Sequence, residues 1–189
     1  MNIVMRAALF ALIAISAPAV ALAPAGDGAF HPGKVITGFG PIADVPGASA
    51  IRPDASFKIA FDTAKGEKGK LNKQIESAAR FINMHAAAGI LPDNLKTAIV
   101  IHGSAVFDAV QNPLYGAHYT PDVDDKMPNP NAPLIAALLA HGGRVIVCGQ
   151  SAVAYGVKTA DLLPGVEMAL SAMTAHAQLQ QDGYTLNPF

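Results

Sequence analysis

The chain has 189 residues, 51% of them hydrophobic and 14% charged, with one Cys and no Trp, which suits one compact domain and not a disordered tail. With 13 basic against 14 acidic residues the formal charge is -1, so no global positive field is available to hold a nucleic acid or an acidic membrane surface. A lone cysteine excludes an intrachain disulfide, a cysteine-based zinc or iron-sulfur site and a C-x-x-C redox pair, so any sulfur chemistry must run through Cys148.

Residues 1–25, MNIVMRAALFALIAISAPAVALAPA, carry Arg6, then an apolar stretch from Ala7 to about Val20, then small residues and prolines. This is the layout of a secretory signal peptide. Pro18 interrupts the stretch, which falls short of the ~20 apolar residues a spanning helix needs. Cleavage fits best after Ala25, giving a periplasmic or secreted protein with no membrane attachment once the signal is removed. From Gly26 to Ser56 the segments GDGAFHPG, GFGPIADVPGAS and IRPD are successive turn signals. They predict an extended arm or linker, lying on the domain or on a neighbouring subunit.

The regular domain begins at Phe57, where FKIAFDTA reads as a strand and GEKGK as the solvated loop after it. Leu71, Ile75, Ala78, Ile82 and Ala86 share one helical face, and Gly89 can end that helix. The run from Leu95 to Ala105, apolar without interruption from Ala98 to Ile101, predicts a central parallel strand covered on both faces. Prolines and acids from Asn112 to Asn131 predict an irregular excursion. A short helix over Leu134 to Ala140, a strand over Arg144 to Val147 and a helical stretch over Ala152 to Tyr155 follow. Pro164 suits the first turn of a last helix presenting Val166, Leu170, Met173 and Ala177 and stopping at Gly183, after which YTLNPF reads as an edge strand ending at Pro188. Strands alternating with helices imply right-handed crossovers and a three-layer α/β domain over residues 57–189, with a mostly parallel sheet and helices on both faces.

In such a sheet, ligands bind outside the carboxyl ends of the strands. Two central strands end there in polar residues: His102, Gly103 and Ser104 on one, Cys148, Gly149, Gln150 and Ser151 on the other. Cys148 also precedes a predicted helix, where free N–H groups favour a thiolate, and Gly149 leaves room for a visitor to approach the sulfur. Cys148 and His102 are therefore the candidate reactive pair, and Gly103, Ser104, Gly149, Gln150 and Ser151 the candidate binding rim. The competing reading is that Val-Ile-Val-Cys merely continues a core strand. His141 reads as a helix C-terminal cation, His176 carries no assigned role, and His31, His85 and His118 lack metal-ligand spacing. Asp122, Asp124 and Asp125 lack the glycine and distant glutamate of a calcium loop and read as a solvated loop. GQSAV lacks the second glycine of a serine-hydrolase elbow, and no phosphate-binding loop occurs, so neither metal nor cofactor is expected.

The strand ending IVIHGSAV, the strand-turn-helix VIVCGQSAVAYGV with its DLLPGV continuation, and the terminal HAQLQQDGYTLNPF together resemble the DsrE/DsrF-like family of sulfur-relay proteins, which includes the Tus-type carriers. The resemblance spans about residues 57–189. It implies a flavodoxin-like fold, a homo-oligomer, commonly trimeric or hexameric, and a cysteine at the place of Cys148 that carries sulfane sulfur as a persulfide. The partners it implies are sulfur donors and acceptor thiol proteins. The family's best-known relay members are cytoplasmic and lack the arm, whereas this chain reads as exported. Two other readings stay open: an oligomeric small-molecule or protein-binding module with a structural cysteine, and a Cys-His hydrolase or transferase, which needs His102 hydrogen-bonded to Cys148.

Overall fold

The computed structural model describes residues 29–124 and 126–187. The signal-like segment 1–25, Asp125 of the acidic cluster and Pro188 after the terminal strand lie outside the described residues. Five strands, β1 (Phe57–Thr63), β2 (Leu95–Ile101), β3 (Arg144–Cys148), β4 (Glu167–Ala169) and β5 (Thr185–Leu186), form one sheet in the order β4-β3-β2-β1-β5. Every pairing is parallel. Helices α1 (Lys73–Ala87), α2 (Asn112–Tyr119), α3 (Ala132–Ala140), α4 (Gly149–Ala154) and α5 (Ala172–Gln181) complete the α/β architecture that the alternating pattern implies.

Side-chain alternation divides the core in two. Phe61, Ile99, Ile101, Val145 and Val147 point to one face and pack with Ile75, Ala78, Ala79 and Ile82 of α1 and Leu134, Ile135 and Leu138 of α3. Ala60, Ala98, Val100 and Ile146 point to the other and meet Ala175 and Leu179 of α5. Small residues on that second face bring α5 close to the sheet. The helix α1 starts where Asn72 accepts the Gln74 N–H on its side-chain oxygen, and it stops before Gly89, whose φ of +94° suits only glycine.

The structure corrects the sequence reading in two places. The last helix begins at Ala172, not at Pro164. Gly165 turns the chain at φ +85°, Glu167–Ala169 pair with Ile146, Val147 and Cys148 as β4, and Ser171 caps α5 through the Thr174 N–H. Leu170 and Met173, expected on the apolar stripe, are 73% and 80% exposed; the buried stripe is Ala175 and Leu179. The excursion from Asn112 also contains a helix, α2, with Pro113 in its first turn. The segment before β1 lies on α1, and an antiparallel bridge between His31 and Ile42 closes a loop within it. Ile36 and Ile42 are buried there.

Candidate functional site

The strands end at one rim, and their register decides which side chains meet. Thr63 pairs with Ile101 and Ile101 with Val147, so the register carries His102 and Cys148, one residue further on, to the adjacent ends of β2 and β3. His102 keeps extended backbone geometry, with φ −141° and ψ −173°, and its N–H bonds the Thr63 carbonyl at 2.9 Å. Alternation places Asp62, His102 and Cys148 on the face that α5 covers, in line with Ala60, Val100 and Ile146.

Cys148 is a free thiol, 5% exposed. It belongs to neither apolar cluster. Around the sulfur stand the N–H and O–H of Ser151, the N–H of Ala172 in the first turn of α5 and the N–H of Gln150. They act as oriented dipoles; no hydrogen bond of ordinary geometry caps α4 through the sulfur. Burial pushes the thiol up, but these donors together outweigh it and hold it below its usual value. The Ser151 oxygen accepts the Gly103 N–H at 3.0 Å, which leaves its own proton free to turn toward the sulfur. Replacing Ser151 with Ala should therefore raise the thiol's pKa. Alkylation by iodoacetamide near pH 7 should fall about fivefold, the equivalent of about 1 kcal/mol. At a pH where both proteins are fully thiolate the difference should vanish, and a constant deficit would instead mean that access had changed.

Beside the sulfur lies a second cluster. Asp62 receives two imidazoles on one carboxylate: His102 Nε2 at 2.9 Å on Oδ2 and His176 Nε2 at 2.7 Å on Oδ1. Both rings must carry hydrogen on Nε2 to make these bonds, and among the described residues no hydrogen bond engages either Nδ1. Burial alone would raise the Asp62 carboxyl, but His176 and His102 together hold it below the usual carboxylate value. The side chains of His102, Asp62 and His176 are 33%, 37% and 18% exposed, so solvent reaches the cluster.

Of the residues expected at the rim, Gly103, Gln150 and Ser151 stand around Cys148 through the contacts above. Ser104 is half-buried in the turn after β2, with no hydrogen bond to the sulfur. The space at Gly149 is occupied by the chain itself: a Cβ there would stand 2.5 Å from the Ala169 carbonyl oxygen and 3.2 Å from that of Leu170. Its small size fits the β4–α5 turn rather than a visitor. His102 faces Asp62 and makes no hydrogen bond with Cys148, so the pairing that a Cys-His hydrolase requires is missing. His141, expected as a cation, is instead pushed down by burial and by Lys96, and its buried Nε2 has no hydrogen-bond partner, both of which disfavour the charged form. Asp62 and His176 are the residues that sequence reasoning missed. The available signal was Asp62 itself, an acid at the carboxyl end of a strand whose Ala60 faces a helix.

A family model described as the DsrE/DsrF-like family matches residues 57–188. Among solved structures, a protein of unknown function, MTH1491, from Methanobacterium thermoautotrophicum is similar at 15% identity and a TM-score of 0.50, over 70% of this chain and 98% of that one. The ychN protein from E. coli aligns at 16% identity and a TM-score of 0.46, over 70% of this chain and 96% of that one. No curated protein matches. At such identities the likeness to MTH1491 speaks for the fold alone.

Proposed function

The chain belongs to the DsrE/DsrF-like family, which is tied to sulfur relay, and from that premise we propose that it carries or transfers sulfane sulfur as a persulfide on Cys148. The observation that supports this reading is the polar nest of Ser151, Ala172 and Gln150 around the sulfur, which holds the thiol below its usual value and so raises its thiolate fraction. In loading, the Cys148 thiolate attacks the outer sulfur of a donor R–S–SH. A new S–S bond forms, the donor's S–S bond breaks, and R–S⁻ leaves with the electron pair. Unloading is the same exchange with an acceptor thiolate, so no oxidant or reductant is consumed.

Mass spectrometry of the native protein after incubation with glutathione persulfide tests this. Wild type should gain the mass of one sulfur atom and Cys148→Ser should not; equal gain on both, or none on wild type, sinks the proposal. Burial of Cys148 is the one observation on the side of a binding module with a packed cysteine. A native thiol inert to iodoacetamide would decide for that module.

We also propose that the protein works outside the cytoplasm as a homo-oligomer, a trimer or hexamer. The leader-like composition of residues 1–25 supports the first and the family resemblance the second. Cell fractionation and light scattering test them.

A further inference from the structure

The cluster of Asp62, His102 and His176 points beyond a positional role for His102. In a hydrogen-bonded structural histidine one ring nitrogen is commonly satisfied by a backbone carbonyl, as His85 Nδ1 is by Phe81. Here two imidazoles from different elements, the end of β2 and the α5 helix, converge on one acid, and all three side chains are in contact with solvent at the rim that holds Cys148. One carboxylate between two imidazoles can hold one extra proton without leaving a net charge, because imidazolium and carboxylate cancel. The groups facing it are few. From β1 comes Asp62 itself, from β2 His102 and from α5 His176, with the end of β3 and Cys148 alongside; the two imidazoles are the hydrogen-bond partners of Asp62, and the partners of the sulfur are neutral donors.

Sulfur transfer on Cys148 needs such a proton. A persulfide is a stronger acid than its thiol, so a donor arrives mostly as R–S–S⁻, and a thiolate attacking it would bring two anions together. With one proton supplied the step balances: Cys148–S⁻, R–S–S⁻ and an imidazolium become Cys148–S–SH, R–S⁻ and a neutral imidazole. We propose that His102, the lateral neighbour of Cys148, delivers that proton to the outer sulfur and takes it back on unloading, while Asp62 and His176 are positioning residues that fix its tautomer and hold the proton in reserve. This inference rests on the sulfur-carrier reading and adds to it the proton path.

The test is the pH profile of Cys148 loading by glutathione persulfide, followed from about pH 6 to about pH 9 on the full chain. Wild type should show an alkaline limb where the proton store empties. In Asp62→Asn, which removes the carboxylate that both imidazoles bond, that limb should move to lower pH. In His176→Gln, which keeps a donor for Asp62 but no titratable proton, it should move in the same direction by about half as much. Alkylation of Cys148 by iodoacetamide, which consumes thiolate and needs no proton, is read in parallel. Limbs within about 0.2 unit of wild type in both variants overturn the proton path and leave the carrier reading standing. Loss of alkylation in step with loading also overturns it, by showing that the cluster merely supports the sulfur. A wild-type protein that alkylates but never loads overturns the carrier reading, and the proton path with it.

Discussion

Replacing Asn83 with Ala should cost about 3 kcal/mol in urea unfolding and release the segment before β1 to proteolysis between residues 34 and 50. The side chain, 1% exposed, is the buried anchor of that segment. Its oxygen accepts the N–H groups of Val35 and Ile36 at 3.1 and 2.8 Å, and its nitrogen donates to the carbonyls of Ile36, Phe39 and Gly40 at 3.1, 3.0 and 3.2 Å. Alanine strands these backbone groups without water, at about 1–3 kcal/mol for each that stays buried. The segment can limit the damage by lifting off, and then it forfeits the burial of Ile36 and Ile42 instead, about 1.5–3 kcal/mol per side chain. Close approach depends on glycines. A Cβ at Gly40 would stand 2.3 Å from the Arg80 nitrogen of α1, at a φ of +58° that other residues avoid. Asn83→Asp should fail in the same way, since a carboxylate would face three carbonyls. Iodoacetamide reactivity of Cys148 should be unchanged in both variants, because Asn83 lies on the opposite face of the sheet, toward the carboxyl end of α1. A loss below about 1 kcal/mol with the segment still protected would show that Ile36 and Ile42 hold it by themselves.

Periodicity carried much of the fold. The runs at Phe57, Leu95 and Arg144 are long enough and apolar enough to declare strands, and α1 shows its face at helical spacing. β4 escapes notice because three residues give no period, and because Glu167 and Met168 are solvent-accessible on a strand that, among the described residues, pairs with β3 alone. Val166, Leu170 and Met173 mimic a helical stripe by spacing alone, although Leu170 and Met173 are exposed. α2 escapes notice because the segment is short and carries a helix-weakening Gly116 and no apolar stripe, with tertiary contacts such as the buried Tyr115 deciding the outcome. The segment before β1 has no period at all. Its conformation is dictated by one asparagine 43 to 48 residues away, which no local pattern announces.

The site was legible only along single strands. The rule that strands end in the ligand crevice found Cys148 and His102, and register then placed them side by side. Asp62 is masked by the apolar pattern of β1, and His176 by Pro164, which mimics a helix start although α5 begins only at Ala172. His176 and Asp62 are 114 residues apart in the chain. The packing of α5 across the sheet, chiefly on β2 and β3, brings them together, and that depends on the small side chains Ala60, Ala98 and Ala175.

A pH-dependent loss of stability should trace to Asp108, behind the rim. Its side chain is fully buried, without a cation: its carboxylate oxygens accept from Asn72 Nδ2 at 2.7 Å and Asn131 Nδ2 at 3.2 Å, and burial pushes its pKa up to about 6 against an ordinary 3.8. Because the folded protein holds this proton more tightly than the unfolded chain, the stabilisation is full below the unfolded value and is lost as pH rises through about 6. The whole window is worth about 3 kcal/mol, and the part between about pH 5 and about pH 7 about 1 kcal/mol. His118 and His141, both depressed by burial, run the other way, since the unfolded chain binds their protons better and stability falls as pH drops below the ordinary 6.5. The raw stability curve therefore mixes opposite signs, and a variant is needed to separate them. Asp108→Asn keeps the shape but cannot titrate, and it sets one amide nitrogen against a donor, a cost that does not change with pH. The difference in urea unfolding free energy, wild type minus Asp108→Asn, should thus be about 1 kcal/mol more favourable to wild type at pH 5 than at pH 7. A difference that stays flat would show that Asp108 is ionised throughout, its charge met by Asn72 and Asn131 alone. The stakes reach the rim: Asn72 also donates to the Lys65 carbonyl and Asn131 to that of Lys70, so the proton on Asp108 sets how firmly the β1–α1 loop is held.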